Sequence, residues 1–365
     1  MPQQKEAMIE TKDFLKTLIS APGLSGHEGP VREIIAGAWA PLVDEISESR
    51  LGSLHALKRA RPAREDGVPS PGILLAAHMD AIGLMVSGVM GEFLRLSPIG
   101  GLDPRVLPGQ PVIVHGRQEL PGLIVLPPAR FLPPDLPDGP VPIRYLLVDT
   151  GLPAGQLKRQ VRIGDLISFA QLPLELKGDT LAGHSLDNRA SVAAVTLCLE
   201  ELQNRGHSWD VWAVATVQEE ITLGGASTSA FQIRPSLAVA IDTTWARGPG
   251  APEHKSYPMG KGPTLGWGPN IHAGLFRMFR DLADRLEIPY QLEVMPGHSG
   301  TDAYGIQVVA EGVPTMVLSI PLRYMHTPVE VVALKDVTRT AHLLAEFIAS
   351  LEPDSMDKLT WDETK

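Results

Sequence analysis

The sequence predicts an α/β protein carrying an inserted β domain. Short apolar runs at 73–77, 212–217, 237–241 and 315–320, each bounded by polar residues or turns, read as buried strands. Segments whose apolar residues recur at helical spacing lie around them. From about 85 to 173 the texture differs: short strand-like runs, rich in Gly and Pro, follow one another with no helical period. That pattern suits a small barrel or sandwich. At 365 residues the chain is long for one domain, so a large unit carrying a smaller one is expected. The reading is one α/β unit built from 1–84 and 174–351, a β domain inserted at 85–173, and a polar tail at 352–365.

Taken in order, residues 5–19 carry Met8, Phe14, Leu15 and Leu18 at helical spacing, and Val31 to Trp39 reads as a second amphipathic helix after a turn-rich loop. Residues 42–57 look like paired strands turning at Gly52, and 61–72 like an exposed polar turn. The strand 73–77 runs directly into His78, Met79 and Asp80. Inside the insertion, 93–96, 111–115, 122–125, 145–149 and 165–169 read as strands, and the prolines between 127 and 142 as a loop or edge. A helix at about 190–204 precedes the strand 211–217, and the strand 237–241 ends at Asp242. A helix at about 271–286, a strand near 290–294, a polar loop at 297–302, the strand 315–320 and a helix at about 335–351 complete the pattern. The last dozen residues read as frayed.

A net charge of −10 argues against broad binding to nucleic acid or to anionic membranes. Hydrophobic residues at 44% and charged residues at 20% are ordinary for a soluble globular protein. The single cysteine, Cys198, excludes an intrachain disulfide and fits a reducing compartment. Its apolar neighbours make it a core residue rather than a nucleophile. The N-terminal segment lacks the apolar centre of a signal peptide, and no apolar run is long enough to span a bilayer. A cytoplasmic location is expected, with neither nucleic acid nor membrane as partner.

The chemistry gathers around Thr-Val-Gln-Glu-Glu at 216–220. Two adjacent carboxylates just past a buried strand repel each other unless a cation or a proton relieves them. Alone, such a pair is most often two solvated glutamates opening a helix. If the chain is still extended there, the two side chains point to opposite faces, one toward a metal and one toward substrate. Three other strands behave alike. His78 with Asp80, then Asp242, then His326 all lie at or just beyond strand ends. In open α/β sheets, ligands bind outside the carboxyl ends of the strands. A single His or Asp there is usually a satisfied loop residue, but four strands ending in this way are not explained so.

Two histidines and several carboxylates, with no second cysteine, suit Zn²⁺, Co²⁺ or Mn²⁺ rather than copper or an iron–sulfur cluster. Asp187, in a loop before a helix, is placed to bridge two divalent ions about 3.5–4 Å apart. Each ion then takes one His and one further carboxylate. Asp80 stands two residues after His78, where it can bond the imidazole and fix its tautomer; otherwise it is a turn-former before Gly83. Glu219 has no ligand duty in this scheme and serves as the general base. Gly300, Thr301 and Asp302 read equally as cleft lining or as an Asx-capped turn. His184, His272 and His298 read as structural.

Several motifs resemble the TET (tetrahedral) aminopeptidase family, which includes glutamyl aminopeptidases and endoglucanase-M-like proteins. They are Gly-Leu-Ser-Gly-His-Glu at 23–28, His-Met-Asp-Ala-Ile-Gly-Leu-Met-Val at 78–86, Ser-Leu-Asp-Asn-Arg at 185–189 and Val-Gln-Glu-Glu at 217–220. Ile-Asp-Thr-Thr at 241–244, Gly-Thr-Asp-Ala at 300–303 and the stretch 311–330 complete the set, which spans nearly the whole chain in order. The resemblance implies a zinc-exopeptidase-type three-layer αβα catalytic domain with an inserted, β-barrel-like dimerisation domain, commonly in a twelve-subunit shell. It implies His78, Asp187, Glu220, Asp242 and His326 as ligands of two divalent ions, with Glu219 as base. Ala81 stands where many members carry an acidic residue, and His298 with Ser299 where glycines are common. A cellulase activity has no support: glycosidases work with two carboxylates and no metal, and aromatic residues are only 5% of the chain.

The expected activity is therefore a two-metal aminopeptidase acting on short peptides and assembling with itself. The same hydrolytic core would also serve an N-acyl or other small amide. A catalytically silent assembly protein stabilised by its metals is the third reading, and the intact Glu219 argues against it.

Overall fold

The computed structural model describes residues 9–62 and 69–359. Met8 and half of the polar turn expected at 61–72 lie outside the described residues. Three strands come first: β1 (Glu45–Glu48), β2 (Leu54–Lys58) and β3 (Gly72–His78). Then follow β4 (Gly83–Met90), β5 (Phe93–Ile99), β6 (Pro111–His115), β7 (Glu119–Val125), β8 (Leu147–Asp149) and β9 (Leu166–Phe169). The remainder are β10 (Leu174–Leu176), β11 (Thr180–Gly183), β12 (Asp210–Thr216), β13 (Leu237–Trp245), β14 (Thr264–Trp267), β15 (Gln291–Val294), β16 (Thr315–Arg323) and β17 (Glu330–Ala333). The helices are α1 (Thr11–Ser20), α2 (Gly29–Trp39), α3 (Ala154–Gln160), α4 (Leu186–Glu201), α5 (Glu219–Thr222), α6 (Gly224–Ile233), α7 (Ala273–Arg285), α8 (Asp302–Gln307) and α9 (Leu334–Ser350).

The main sheet runs β1-β2-β12-β3-β13-β16-β17-β11-β10, with β14 and β15 branching from β16. Its centre, β12-β3-β13-β16, is parallel. Alternate residues of β3 feed opposite faces, as the two-residue period of a strand requires. Ile73, Leu75 and Ala77 pack with α4, α9 and α7, while Leu74 and Ala76 pack against Ala226 and Ala230 of α6 and Ile306 of α8. Three layers result, and the carboxyl ends of all four parallel strands open on one edge.

Between β3 and β10 the chain closes a six-stranded antiparallel barrel, β4-β5-β8-β7-β6-β9. Leu84 and Val86, Leu94 and Leu96, and Val112 and Val114 alternate inward and fill it. The sequence reading missed α3, whose seven residues bury only Leu157 and so carry too little periodicity to register. Two further differences bear on the site. Asp242 is not at a strand end but inside β13, which continues to Trp245 because β16 pairs with it that far. Glu219 and Glu220 do not extend a strand; they open the short helix α5 after Gln218 turns left-handed at φ 57°.

Residues 352–359 do not hang free. Trp209 donates its indole N–H to the carbonyl of Glu352 (2.8 Å), and Met356 and Leu359 pack on the core. Residues 360–365 lie outside the described residues. No described helix is long and apolar enough to cross a membrane.

The fully buried Phe279 and Phe347 rings stack 3.9 Å apart and join α7 to α9. Phe347→Ala is expected to cost about 3–5 kcal/mol of stability in denaturant unfolding. A cost below about 1 kcal/mol would contradict this packing.

Candidate metal centre and active site

His78, Asp187, Glu219, Glu220, Asp242 and His326 line a single cavity of about 640 Å³ at the carboxyl edge of the sheet. The anchor is Asp187, only 6% exposed. Its Oδ1 lies 3.3 Å from His78 Nε2 and its Oδ2 lies 3.4 Å from His326 Nε2. Asp242 Oδ1 approaches His78 Nε2 to 3.7 Å, and Glu220 Oε2 approaches His326 Nε2 to 3.5 Å. Glu219 Oε2 stands 3.8 Å from His78 Nε2. The ligand-type atoms of His78, Glu219 and Asp242 all lie within 4.8 Å of one another, and so do those of His78, Asp187 and Glu220.

All of these groups but Asp242 are held from behind by a buried carboxylate. Asp80 is fully buried and does not line the cavity. It accepts from Ser25 Oγ (2.6 Å) and from the backbone N–H groups of Glu219 (3.0 Å) and Glu220 (3.3 Å), and its Oδ1 lies 3.4 Å from His78 Nδ1. One carboxylate thus fixes both the imidazole and the first turn of α5. Glu28 accepts from Gln218 N–H (3.2 Å) and Gly26 N–H (2.7 Å), tying the loop at 23–28 to the same turn.

The sequence reading assigned no role to Glu330, which does the same for the other side. It is 1% exposed and accepts from the backbone N–H of Asp187 and of His326, each at 3.1 Å. Nor did it assign one to Arg189, whose buried guanidinium donates to the carbonyls of Leu18 and Ala21 at 2.6 Å each and reaches those of Gly23 and Met79. Position alone gave no signal for either. Of the other expected residues, Gly300, Thr301 and His298 line the cavity. Asp302 is buried at the start of α8 and accepts from Thr216 Oγ1 at 2.5 Å. His272 caps α7 by accepting from Gly274 N–H, and His184 packs edge-on against Phe169. Cys198 is a fully buried core residue, and burial pushes its thiol pKa up.

The electrostatics are those of a site built for positive charge. Burial, reinforced by neighbouring carboxylates, lifts Glu219 to about 10 and Glu220 to about 8. Asp242 also rises, chiefly through burial. Burial opposes charge on His326 and His78, but Asp187 and Glu220 still raise His326 to about 9, and the carboxylates around His78 push it well above its ordinary value. Burial also opposes the charge on Asp187, yet the two histidines hold its pKa below the usual carboxylate range. Asp187 Oδ1 has no aligned hydrogen-bond donor although it is buried. Hard carboxylate oxygens, two imidazoles and an orphaned acceptor facing them fit divalent cations of the zinc, cobalt or manganese kind.

Residues 62–343 match the M42 glutamyl aminopeptidase family, and the chain belongs to that family. Its members are peptidases, so this protein is a hydrolase of peptide bonds. It is 34% identical to the lysyl aminopeptidase of Pyrococcus furiosus over 93% of this chain and 97% of that protein. It superimposes on a TET aminopeptidase from a marine sediment archaeon of the Thaumarchaeota with a TM-score of 0.89, at 30% identity, over 96% of this chain and 99% of that one. The TET1 peptidase of Pyrococcus horikoshii, described as assembling into a tetrahedron or a large octahedral shell, superimposes with a TM-score of 0.80 at 28% identity, covering 94% and 100% of the two chains.

The raised carboxylates hold protons that a cation would displace. For Glu219 and Glu220, folded pKa values lie above the ordinary 4.5, so the stability they contribute is full at low pH and is lost as pH rises through about 8 and about 10. His326, raised from 6.5 to about 9, acts in the same direction. Asp187 has the opposite sign, its contribution being lost only on acidification. Metal-stripped protein is therefore expected to lose thermal stability between about pH 6 and 9. The gap in Tm between metal-loaded and stripped protein widens over that range. A gap that stays constant or narrows would contradict the electrostatics described.

Proposed function

We propose that the protein is a two-metal aminopeptidase that releases N-terminal residues from short peptides. The observation that carries this reading is the pairing through Asp187. Its two oxygens face two different histidines, Asp242 completes the His78 side, and Glu220 completes the His326 side. Those five residues are the proposed ligands. Bound divalent ions supply Lewis-acid polarisation of the peptide carbonyl and lower the pKa of the attacking water.

Glu219 lies beside His78 and Asp242 in the same cavity, stands outside the five proposed ligands and is the proposed general base. Its carboxylate takes a proton from the attacking water, and the resulting carboxylic acid delivers it to the departing amide nitrogen. The proposed part of Asp80 is positioning: it orients His78 and holds the backbone of Glu219 and Glu220 without touching substrate. Glu330 would hold Asp187 and His326 in the same way.

Removing a base and removing a ligand differ in outcome. Glu219→Gln should keep its metal and its Tm while kcat on an aminoacyl substrate falls by about 10²–10⁴. Glu220→Ala should lose metal affinity and stability together. Loss of metal from Glu219→Gln with retention in Glu220→Ala would reverse the two assignments. Full activity of metal-loaded Glu219→Gln would end the mechanism.

Self-association belongs to the same proposal, with the barrel as its seat. Met90, Leu126 and Phe131 expose 43–68% of their surface around one groove of the barrel. Such a patch marks a contact surface. Phe131→Asp together with Leu126→Asp should shift the species seen by light scattering toward smaller assemblies. An unaltered assembly, or a wild-type chain monomeric at micromolar concentration, would exclude this surface.

A further inference from the structure

The edge strand β15 is inside out. Leu292 and Val294 are 49% and 62% exposed, while Glu293 between them turns into the protein. A one-residue slip of register would bury the two aliphatic side chains and put the carboxylate in water. The fold keeps the less favourable alternation, and the carboxylate it turns inward reaches the active-site cavity.

Hydroxyl groups hold the Glu293 carboxylate. One oxygen accepts from Thr244 Oγ1 at 2.6 Å and the other from Thr264 Oγ1. Thr244 lies two residues beyond Asp242 on β13, so both side chains share one face of the strand. Burial and the nearby Asp242 work against the charge of Glu293, which the hydroxyls of Thr244, Thr264 and Ser319 support. Among the described residues no Lys, Arg or His forms an ion pair with it. Met295, two residues on along the same chain, adds an apolar wall to the same cavity. An apolar wall ending in a carboxylate that lacks a counter-charge matches a long aliphatic stem tipped by a cation.

We propose that Glu293 selects substrates whose N-terminal residue is lysine or arginine, its carboxylate receiving the side-chain cation beside the reacting centre. This rests on the aminopeptidase reading and narrows it. An acidic N-terminal side chain would meet the same carboxylate and be repelled.

The test compares kcat/KM of the metal-loaded enzyme on lysyl, norleucyl and glutamyl amides of one fluorogenic amine. Norleucine keeps a straight aliphatic stem and lacks the charge. Lysyl should exceed norleucyl by about tenfold or more, and Glu293→Gln should reduce that ratio by about tenfold or more. The variant keeps an oxygen for the threonine hydroxyls, and should it fail to fold, the wild-type ratio decides alone. Norleucyl or glutamyl turnover equal to or above lysyl would overturn the proposal, as would an unchanged ratio in Glu293→Gln. No hydrolysis of any of the three would remove the aminopeptidase reading itself, a separate and distinguishable failure.

Discussion

Carboxylates crowded together out of water are the constraint on which this molecule depends. Asp187, Glu219, Glu220 and Asp242 surround His78 and His326 in one cavity, and protein side chains alone relieve their repulsion only by holding protons at unusual pKa values. The scaffold accepts that cost because every group but Asp242, which accepts from the Thr243 backbone N–H, is fixed from behind by a buried carboxylate bonded to backbone. Asp80 holds His78 and the first turn of α5. Glu330 holds Asp187 and His326. Arg189 then ties the loop before α2 to the strand that ends in His78. The result is a preformed arrangement whose unmet need is positive charge.

The inserted barrel is also part of this arrangement. The loop leaving β5 passes so close to the centre that a Cβ added to Gly101 would stand 3.0 Å from His326 Nδ1. Gly100, at φ 74°, lies beside Ile82 and the Glu220 carboxylate. Backbone without side chains is what lets a loop from the barrel close over His326 and Glu220. The barrel therefore meets the site physically, and its removal would disturb it.

Much of this was legible in the sequence because strand ends carry chemistry in an α/β sheet. The apolar runs at 73–77, 212–217 and 315–320 are local signals, and the polar residues beyond them are hard to miss. The barrel strands were legible as a local change of texture, and Asp187 as a carboxylate just before a helix. What was not legible depends on partners distant in sequence. The end of β13 is set by its pairing with β16, so Asp242 falls inside a strand rather than at its end. The helical turn at Glu219 is set by Gln218 adopting a left-handed conformation, held by Glu28 far upstream. Glu293 read as an ordinary strand residue and Glu330 carried no role, because only the folded chain brings them to Thr244 and to Asp187.

The most direct test of the central claim is anomalous diffraction from crystals of the metal-loaded protein at the absorption edge of the bound ion. The account requires two peaks on opposite sides of Asp187, about 3.5–4 Å apart. One should be held by His78 and Asp242, the other by His326 and Glu220. A single peak, or a peak ligated by Glu219 in place of Glu220, would contradict it.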